Sequence, residues 1–311
     1  MQKKRSLKVF APATIANVAC GFDIFGFAID RPGDEVIVRT KDVPGVVISK
    51  ITGDGGRLPL DPARNTAGVS VRGFLKHIGS KAGLELELHK KMPLGSGLGS
   101  SAASAVAGLF GANELLGRPL ERLELLPFAM EGERVACGTP HADNAGPCLL
   151  GGFVLIRSYK PLDVVKIPTP KGLHCTVVHP HIEIRTEDAR KMLKKEISME
   201  DAVTQWGNVA GLIAGLMKPD HELIRRSMKD VIVEPVRSIL IPGFERARAA
   251  AMDSGALGFS ISGSGPSLFA LSLTEKQASA AGKAMQTVFK SLGIKSEIFV
   301  SKINNEGVRI S

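Results

Sequence analysis

The sequence predicts an α+β protein built from two domains. Strand-like and helix-like segments follow one another without strict alternation, which argues against a doubly wound parallel sheet. The chain has 311 residues, more than one average domain needs. A Pro- and Lys-rich stretch over 161–170 interrupts the pattern, so the boundary is placed there, giving domains of 1–165 and 166–311.

Residues 7–11 and 34–40 read as short strands, the second running from Asp34 to Thr40 with several β-branched residues. Strands continue at 45–52 and 84–89, where Leu84, Leu86 and Leu88 alternate with Glu85, Glu87 and His89. Between them, 65–78 carries Val69, Val71, Phe74, Leu75 and Ile78 at mostly helical spacing. An alanine-rich helix is predicted over 100–116, stopped by Gly117 and Pro119. A helix over 119–136 and a strand over 152–157 complete the first domain. The second opens with a strand at 174–179, followed by helices at 187–195, 199–217, 220–228 and 243–254. Two strands, 259–262 and 267–272, face each other across a glycine turn. A helix over 275–292 and a strand over 295–301 follow.

Composition narrows the function. Hydrophobic residues at 44% and charged residues at 23% are those of a folded globular chain, which excludes disorder. The net charge of +9 raises nucleic-acid binding, but that mode needs a basic stripe interleaved with stacking aromatics. Here there is one Trp and one Tyr, and the bases are scattered apart from Lys3-Lys4-Arg5, so no nucleic-acid partner is expected. A basic field also suits a polyanionic small ligand. Cys20, Cys137, Cys148 and Cys175 form no CxxC pair and lie near no zinc-finger histidine, so they read as reduced thiols. The first ten residues lack the apolar core of a signal peptide and no stretch is long enough to span a bilayer. The expectation is a cytoplasmic protein with no membrane partner, a homodimer being the open option for assembly.

The most informative stretch is Pro93-Leu94-Gly95-Ser96-Gly97-Leu98-Gly99-Ser100-Ser101-Ala102, which follows a strand and opens a helix. Its three alternate glycines let the backbone bend sharply and approach a ligand without a Cβ in the way. The unpaired amides of the helix start, with the helix dipole behind them, favour an anion. It is not a Walker A loop, having no Gly-Lys-Ser/Thr ending. Nor is it a GxGxxG fingerprint, because Ser100 stands where the third glycine belongs. Taken alone it is a phosphate cradle, with Ser100 and Ser101 adding hydroxyls for phosphate or metal.

The loop resembles the PxxxGLGSSAA signature of the GHMP kinases. Gly258-Phe-Ser-Ile-Ser-Gly263-Ser-Gly-Pro-Ser267 resembles that family's C-terminal glycine motif, and Lys8 to Asp30, with Ala11–Asn17 and Gly21-Phe22-Asp23, its N-terminal one. Three motifs in the family's order span the chain. The resemblance implies an N-terminal domain like the second domain of ribosomal protein S5 and a ferredoxin-like C-terminal domain. It also implies ATP as co-substrate, Mg2+, and phosphoryl transfer to an alcohol.

Four further segments resemble the branch of the family that phosphorylates L-homoserine on the way to threonine: the AxxANVxxGFDxFGxAI pattern, Gly138–Asn144, Thr186–Arg190 and Asp230–Arg237. That substrate is a zwitterion with a hydroxyl, so its site needs cations, an anion and a polar group. By resemblance Arg190 and Arg237 take the carboxylate, a task that suits guanidinium forks, and Asp23 the ammonium. Taken singly, each arginine reads as a surface residue and Asp23 as a turn aspartate. Asn17 and Asn144 match positions at the hydroxyl, Asn144 in an orienting role. His141, Asp143, Thr186 and Gly263 match substrate contacts, Thr186 being also a helix cap. Glu133, with Ser101, matches the magnesium ligands, Glu131 being a near competitor. Asn65 and Lys90 match contacts to the adenosine part of ATP. No general base is assigned, and Asp143 is the residue that would contradict this. Ser267 in place of a more usual Thr, and Ala145-Gly146 in place of Val-Ala, are small departures. The alternatives are a kinase of the same family for a mevalonate- or shikimate-like alcohol, and a non-catalytic nucleotide-binding protein.

Overall fold

The structure is a computed structural model that describes residues 5–184 and 186–311. The chain begins with β1 (Ser6–Ala16), β2 (Phe25–Lys41) and β3 (Gly45–Thr52), followed by α1 (Thr66–His77) and β4 (Gly83–His89). Then come α2 (Ser100–Leu115), α3 (Leu126–Cys137), α4 (Ala142–Leu150), β5 (Phe153–Tyr159) and β6 (Leu162–Ile167). The second half holds β7 (His174–Pro180), α5 (Thr186–Lys191), α6 (Met199–Met217), α7 (His221–Ser227), α8 (Glu234–Arg237) and α9 (Phe244–Asp253). It closes with β8 (Gly258–Ile261), β9 (Leu268–Ser272), α10 (Glu275–Ser291), β10 (Ser296–Lys302) and β11 (Arg309–Ile310).

Among the described residues the strands form two sheets. The first has the order β11-β1-β2-β4-β3, with β5 paired to the start of β2 and β6 to β5. All its pairings are antiparallel except β3 with β4. The alternation read in β4 is real: Leu84, Leu86 and Leu88 are buried, while Glu85 and Glu87 both meet Arg39 of β2 on the other face. Helix α2 is buried almost all round, which its Ala, Gly and Ser content allows. A Cβ on Gly111 would stand 2.6 Å from Val38 Cγ2, so the helix lies against β2 as closely as the backbone permits. The second sheet, β10-β7-β9-β8, is antiparallel throughout. On it, α10 buries Ala278, Ala281, Met285 and Phe289 from one stripe.

The mixed architecture agrees with the α+β expectation, and several boundaries differ from it. The Pro- and Lys-rich stretch contains β6, whose Leu162, Val164 and Ile167 pack on the first core, so that sheet continues past residue 165. β11 brings the later part of the chain back to β1. The helix expected over 119–136 starts only at 126, after a 3-10 turn at Leu123–Leu125, with Pro127 in its first turn. The segment 138–152, read for its motif alone, contains α4 with Pro147 inside it. Proline leaves the Asp143 carbonyl without its usual helical donor, and Gly26 of β2 passes so close that a Cβ would lie 2.0 Å from that oxygen. The helix expected over 187–195 is shorter, at 186–191. No helix among the described residues is long and apolar enough to cross a membrane.

Candidate active site

A cavity of about 460 Å³ opens beside the ends of β1 and β4 and the glycine turn that follows β8. Its floor is the glycine-serine loop from Leu94 to Ser101. Gly95, Gly97 and Gly99 all have left-handed φ, of 67°, 79° and 69°. Two of them are also pinned by space: a Cβ on Gly97 would meet Ser262 O at 2.3 Å, and one on Gly99 would meet Thr14 Oγ1 at 2.1 Å. The second glycine turn is tied to the loop, because Ser262 Oγ donates to Gly97 O (2.7 Å) and Ser267 N to Ser96 O (3.2 Å). Gly99 is the N-cap of α2 and supplies no side-chain acceptor, so the first amides of that 16-residue helix face the cavity as donors.

Beneath the loop lies a buried polar cluster. Asp34 accepts hydrogen bonds from Lys91 N (2.7 Å), Met92 N (3.0 Å), Ser100 Oγ (2.7 Å) and Lys90 Nζ. Lys90 Nζ also donates to Ser100 O (2.6 Å) and Ser104 Oγ (2.5 Å). Lys90 therefore lines the cavity with its stem while its ammonium faces Asp34 and the first turn of α2. Asn65 likewise caps α1, accepting from Ala67 N (3.1 Å) and donating to Pro59 O (3.0 Å). Pro93 lies outside the cavity, on a neighbouring groove with His179 and His181, and Ala102 is fully buried behind the loop.

At the mouth of α2, Ser101 Oγ donates to Glu133 Oε1. Burial pushes the Glu133 carboxyl up to about 7, against the lowering effects of Ser101 and Lys90. Glu131 points to solvent and pairs with Arg134 on its own helix, which keeps its carboxyl below the usual range. A hydroxyl beside a carboxylate at a phosphate cradle is the hard-oxygen set that magnesium accepts, so the donors fit that ion.

The other end of the cavity holds the charged residues. Asp23 accepts from Arg190 Nη2 at 2.8 and 3.0 Å, and His141 Nδ1 lies 3.6 Å from the same carboxylate. Asn17 accepts from Asp23 N (3.0 Å) and donates to Gly263 O (2.8 Å), so it links the first motif to the last. Arg237 Nη1 donates to that same Gly263 O (3.0 Å). Asn17, Val18, Ala19 and Asp23 all have positive φ, costly for non-glycine residues, and these bonds hold Asn17 and Asp23 in it. Burial first, then the Asp23 charge, pushes Asp143 up to about 7; burial also lowers His141, which Asp23 partly offsets. Thr14 Oγ1 donates to Asn144 Oδ1 (2.6 Å), which fixes the amide's orientation. The Thr186 side chain lies outside the described residues; the residue opens α5, four positions before Arg190.

Three residues at the site were not singled out in the sequence. Thr14 orients Asn144, and Asp34 anchors the loop. Tyr159 donates to Asp23 O (2.7 Å) and accepts from Ala142 N (3.3 Å), joining the Asp23 loop to the start of α4. It is the chain's sole tyrosine, the one signal available beforehand.

The fold and this loop-and-carboxylate cavity are those of a GHMP-type kinase. Residues 65–152 match the GHMP kinases N-terminal domain and 212–291 the GHMP kinases C-terminal domain, together more than half of the chain. The chain is 54% identical to a homoserine kinase of Chlorobium phaeovibrioides, over 98% of this chain and 99% of the relative. It is 43% identical to one of Xylella fastidiosa, over 97% and 93%. The crystal structure of a homoserine kinase from Cytophaga hutchinsonii superposes with a TM-score of 0.97 at 57% identity, covering 100% of this chain and 98% of that one. The chain belongs to the homoserine kinase family of GHMP kinases.

Proposed function

We propose that this protein transfers the γ-phosphoryl group of ATP to the hydroxyl of L-homoserine, giving O-phospho-L-homoserine and ADP, a step towards threonine. The observation that carries this reading is a single cavity with a phosphate cradle at one end and, at the other, two arginines and an aspartate. That charge set matches a small zwitterion, and relatives at 43–57% identity bear the name homoserine kinase.

In this reading the loop amides from Gly95 to Ser101 hold the ATP phosphates, and the second glycine turn fixes the loop's height. Asn65 and Lys90 shape the nucleotide end, their polar tips being committed to α1 and to Asp34. Arg190 and Arg237 take the substrate carboxylate as a pair of forks, while Asp23 turns to its ammonium. Asn144, its oxygen held by Thr14, presents its NH2 edge to the hydroxyl, with Asn17 and His141 alongside. Magnesium, held by Ser101 and Glu133, would neutralise charge on the phosphate oxygens.

Phosphoryl transfer passes through a loose transition state, so alignment and fixed dipoles can supply most of the acceleration. No residue is assigned as general base. Asp143 is buried, lifted to about 7 and set on α4 rather than on a hydrogen bond to a nucleophile. Asp143→Asn is expected to lower turnover by less than about a thousandfold with homoserine binding kept; a larger fall would make it a base. The proposal extends to a cytoplasmic enzyme and a homodimer, the latter checked by light scattering.

The test is an ADP-release assay over homoserine, serine, threonine, mevalonate and shikimate. Turnover selective for homoserine is expected. Selective turnover of mevalonate or shikimate would leave the family and overturn the substrate, since neither alcohol carries the ammonium that Asp23 would answer. ATP binding without turnover of any of them would favour a non-catalytic role.

A further inference from the structure

On the substrate reading above, two guanidinium groups have to be kept close together. Arg190 and Arg237 must converge on one carboxylate, yet each repels the other. Arg237 is 3% exposed, and its direct acceptor is the Gly263 carbonyl. Its Nε has no hydrogen-bond partner among the described residues. Arg190 leans on Asp23, the group that must answer the substrate's ammonium.

Both guanidiniums also lie against one ring. The Arg237 Cζ is 5.0 Å from the centroid of Phe22 and the Arg190 Cζ is 5.3 Å from it. Phe22 is half-buried and precedes Asp23, in the loop that the Asn17 and Tyr159 bonds hold in place. We propose that Phe22 is a positioning residue for substrate recognition, a shared aromatic plate that holds Arg190 and Arg237 together and aims them at the substrate carboxylate. The ring's negative face attracts a cation without taking its N–H groups and without cancelling its charge. A carboxylate in the same place would hold the arginines as firmly but would neutralise the field the substrate has to feel.

Phe22→Leu keeps apolar bulk and removes the ring, and Phe22→Tyr keeps the ring. For the leucine variant the KM for homoserine is expected to rise about tenfold, with kcat and the KM for ATP within about twofold of wild type; tenfold corresponds to about 1.4 kcal/mol, within the range of cation–π contacts. Phe22→Tyr is expected to stay within about twofold throughout. Homoserinol, which lacks the carboxylate, should be used equally by wild type and Phe22→Leu. Phe22→Met gives the same readout if the leucine variant does not fold. A homoserine KM unchanged in the ring-less variant would overturn the proposal, as would equal losses in the leucine and tyrosine variants, or an equal loss with homoserinol. Failure of wild type to use homoserine at all would instead sink the substrate reading, so the two failures are distinguishable.

Discussion

Replacing Asp34 by asparagine tests whether the phosphate loop is held from below. Asp34 and Lys90 are each 1% exposed at the side chain, so neither charge has water to fall back on. Asparagine has nearly the same shape, and its oxygen can still accept from Lys91 N and Met92 N. Its NH2 group, however, would face the Lys90 ammonium and the Ser100 hydroxyl, leaving a buried cation without a counter-ion. Breaking such a pair from one side costs about 3–5 kcal/mol. At about 2–4 °C per kcal/mol for domains of this size, the melting temperature should fall by roughly 10 °C. The KM for ATP should rise with it, because the bonds to Lys91, Met92 and Ser100 fix both ends of the loop. The double variant Asp34→Asn/Lys90→Met removes the orphaned charge and should recover most of the stability. Urea denaturation of wild type, both single variants and the double variant measures the coupling directly. If Asp34→Asn is within about 1 kcal/mol of wild type, or the double variant is no better than the single, the buried-pair argument is wrong.

Glu133→Gln should lower kcat by at least about a hundredfold at saturating magnesium and homoserine, on the scale of losing one preorganised charge contact, whereas Glu131→Gln should stay within about twofold. The pH dependence of stability follows from burial: Asp143 and Glu133 are both pushed up to about 7, while free carboxyls titrate near 4. Between those values the folded protein keeps protons that the unfolded chain has released. This contribution is therefore complete below about pH 4 and is lost as pH rises through about 7. Against wild type, Asp143→Asn and Glu133→Gln should each flatten the slope of unfolding free energy between pH 4.5 and 6.5 by up to about 1.4 kcal/mol per unit, read by urea melts without ligand. Tyr159→Phe loses only a hydroxyl and about 1 kcal/mol of hydrogen bonding. It should raise the homoserine KM several-fold, leave the ATP KM unchanged, and lower the melting temperature by a few degrees at most.

Much of the phosphate end was legible in the sequence because one continuous segment encodes it. Glycines at 95, 97 and 99, followed by serines and an alanine-rich helix, determine a bend and a row of free amides whatever else surrounds them. The substrate end is different. Asp23, His141, Arg190 and Arg237 come from four distant segments, and each looks ordinary where it stands. Only resemblance brought them together before the fold did. Asp34 escaped notice because a strand-starting aspartate shows nothing of the lysine 56 positions later that it meets. Lys90 and Asn65 show the converse, since a matched position does not reveal where its polar tip points. The strand at β6 was hidden by Pro161 and Pro168 on either side of it and by Lys166 within it, which report an exposed edge as readily as a linker.

The return of β11 to β1 bears on how the protein is made. Val9 and Phe10 pair with Ile310 and Arg309, Val308 N donates to Cys148 O, and Asn304 N donates to Ala28 O. During synthesis these stretches of β1, β2 and α4 emerge first and wait for residues 303–311, which leave the ribosome after every other strand of their sheet. Until then β1 offers an open edge to any neighbouring nascent chain. Fast elongation through the second half of the message, or a chaperone that covers that edge, should therefore raise the yield of folded enzyme.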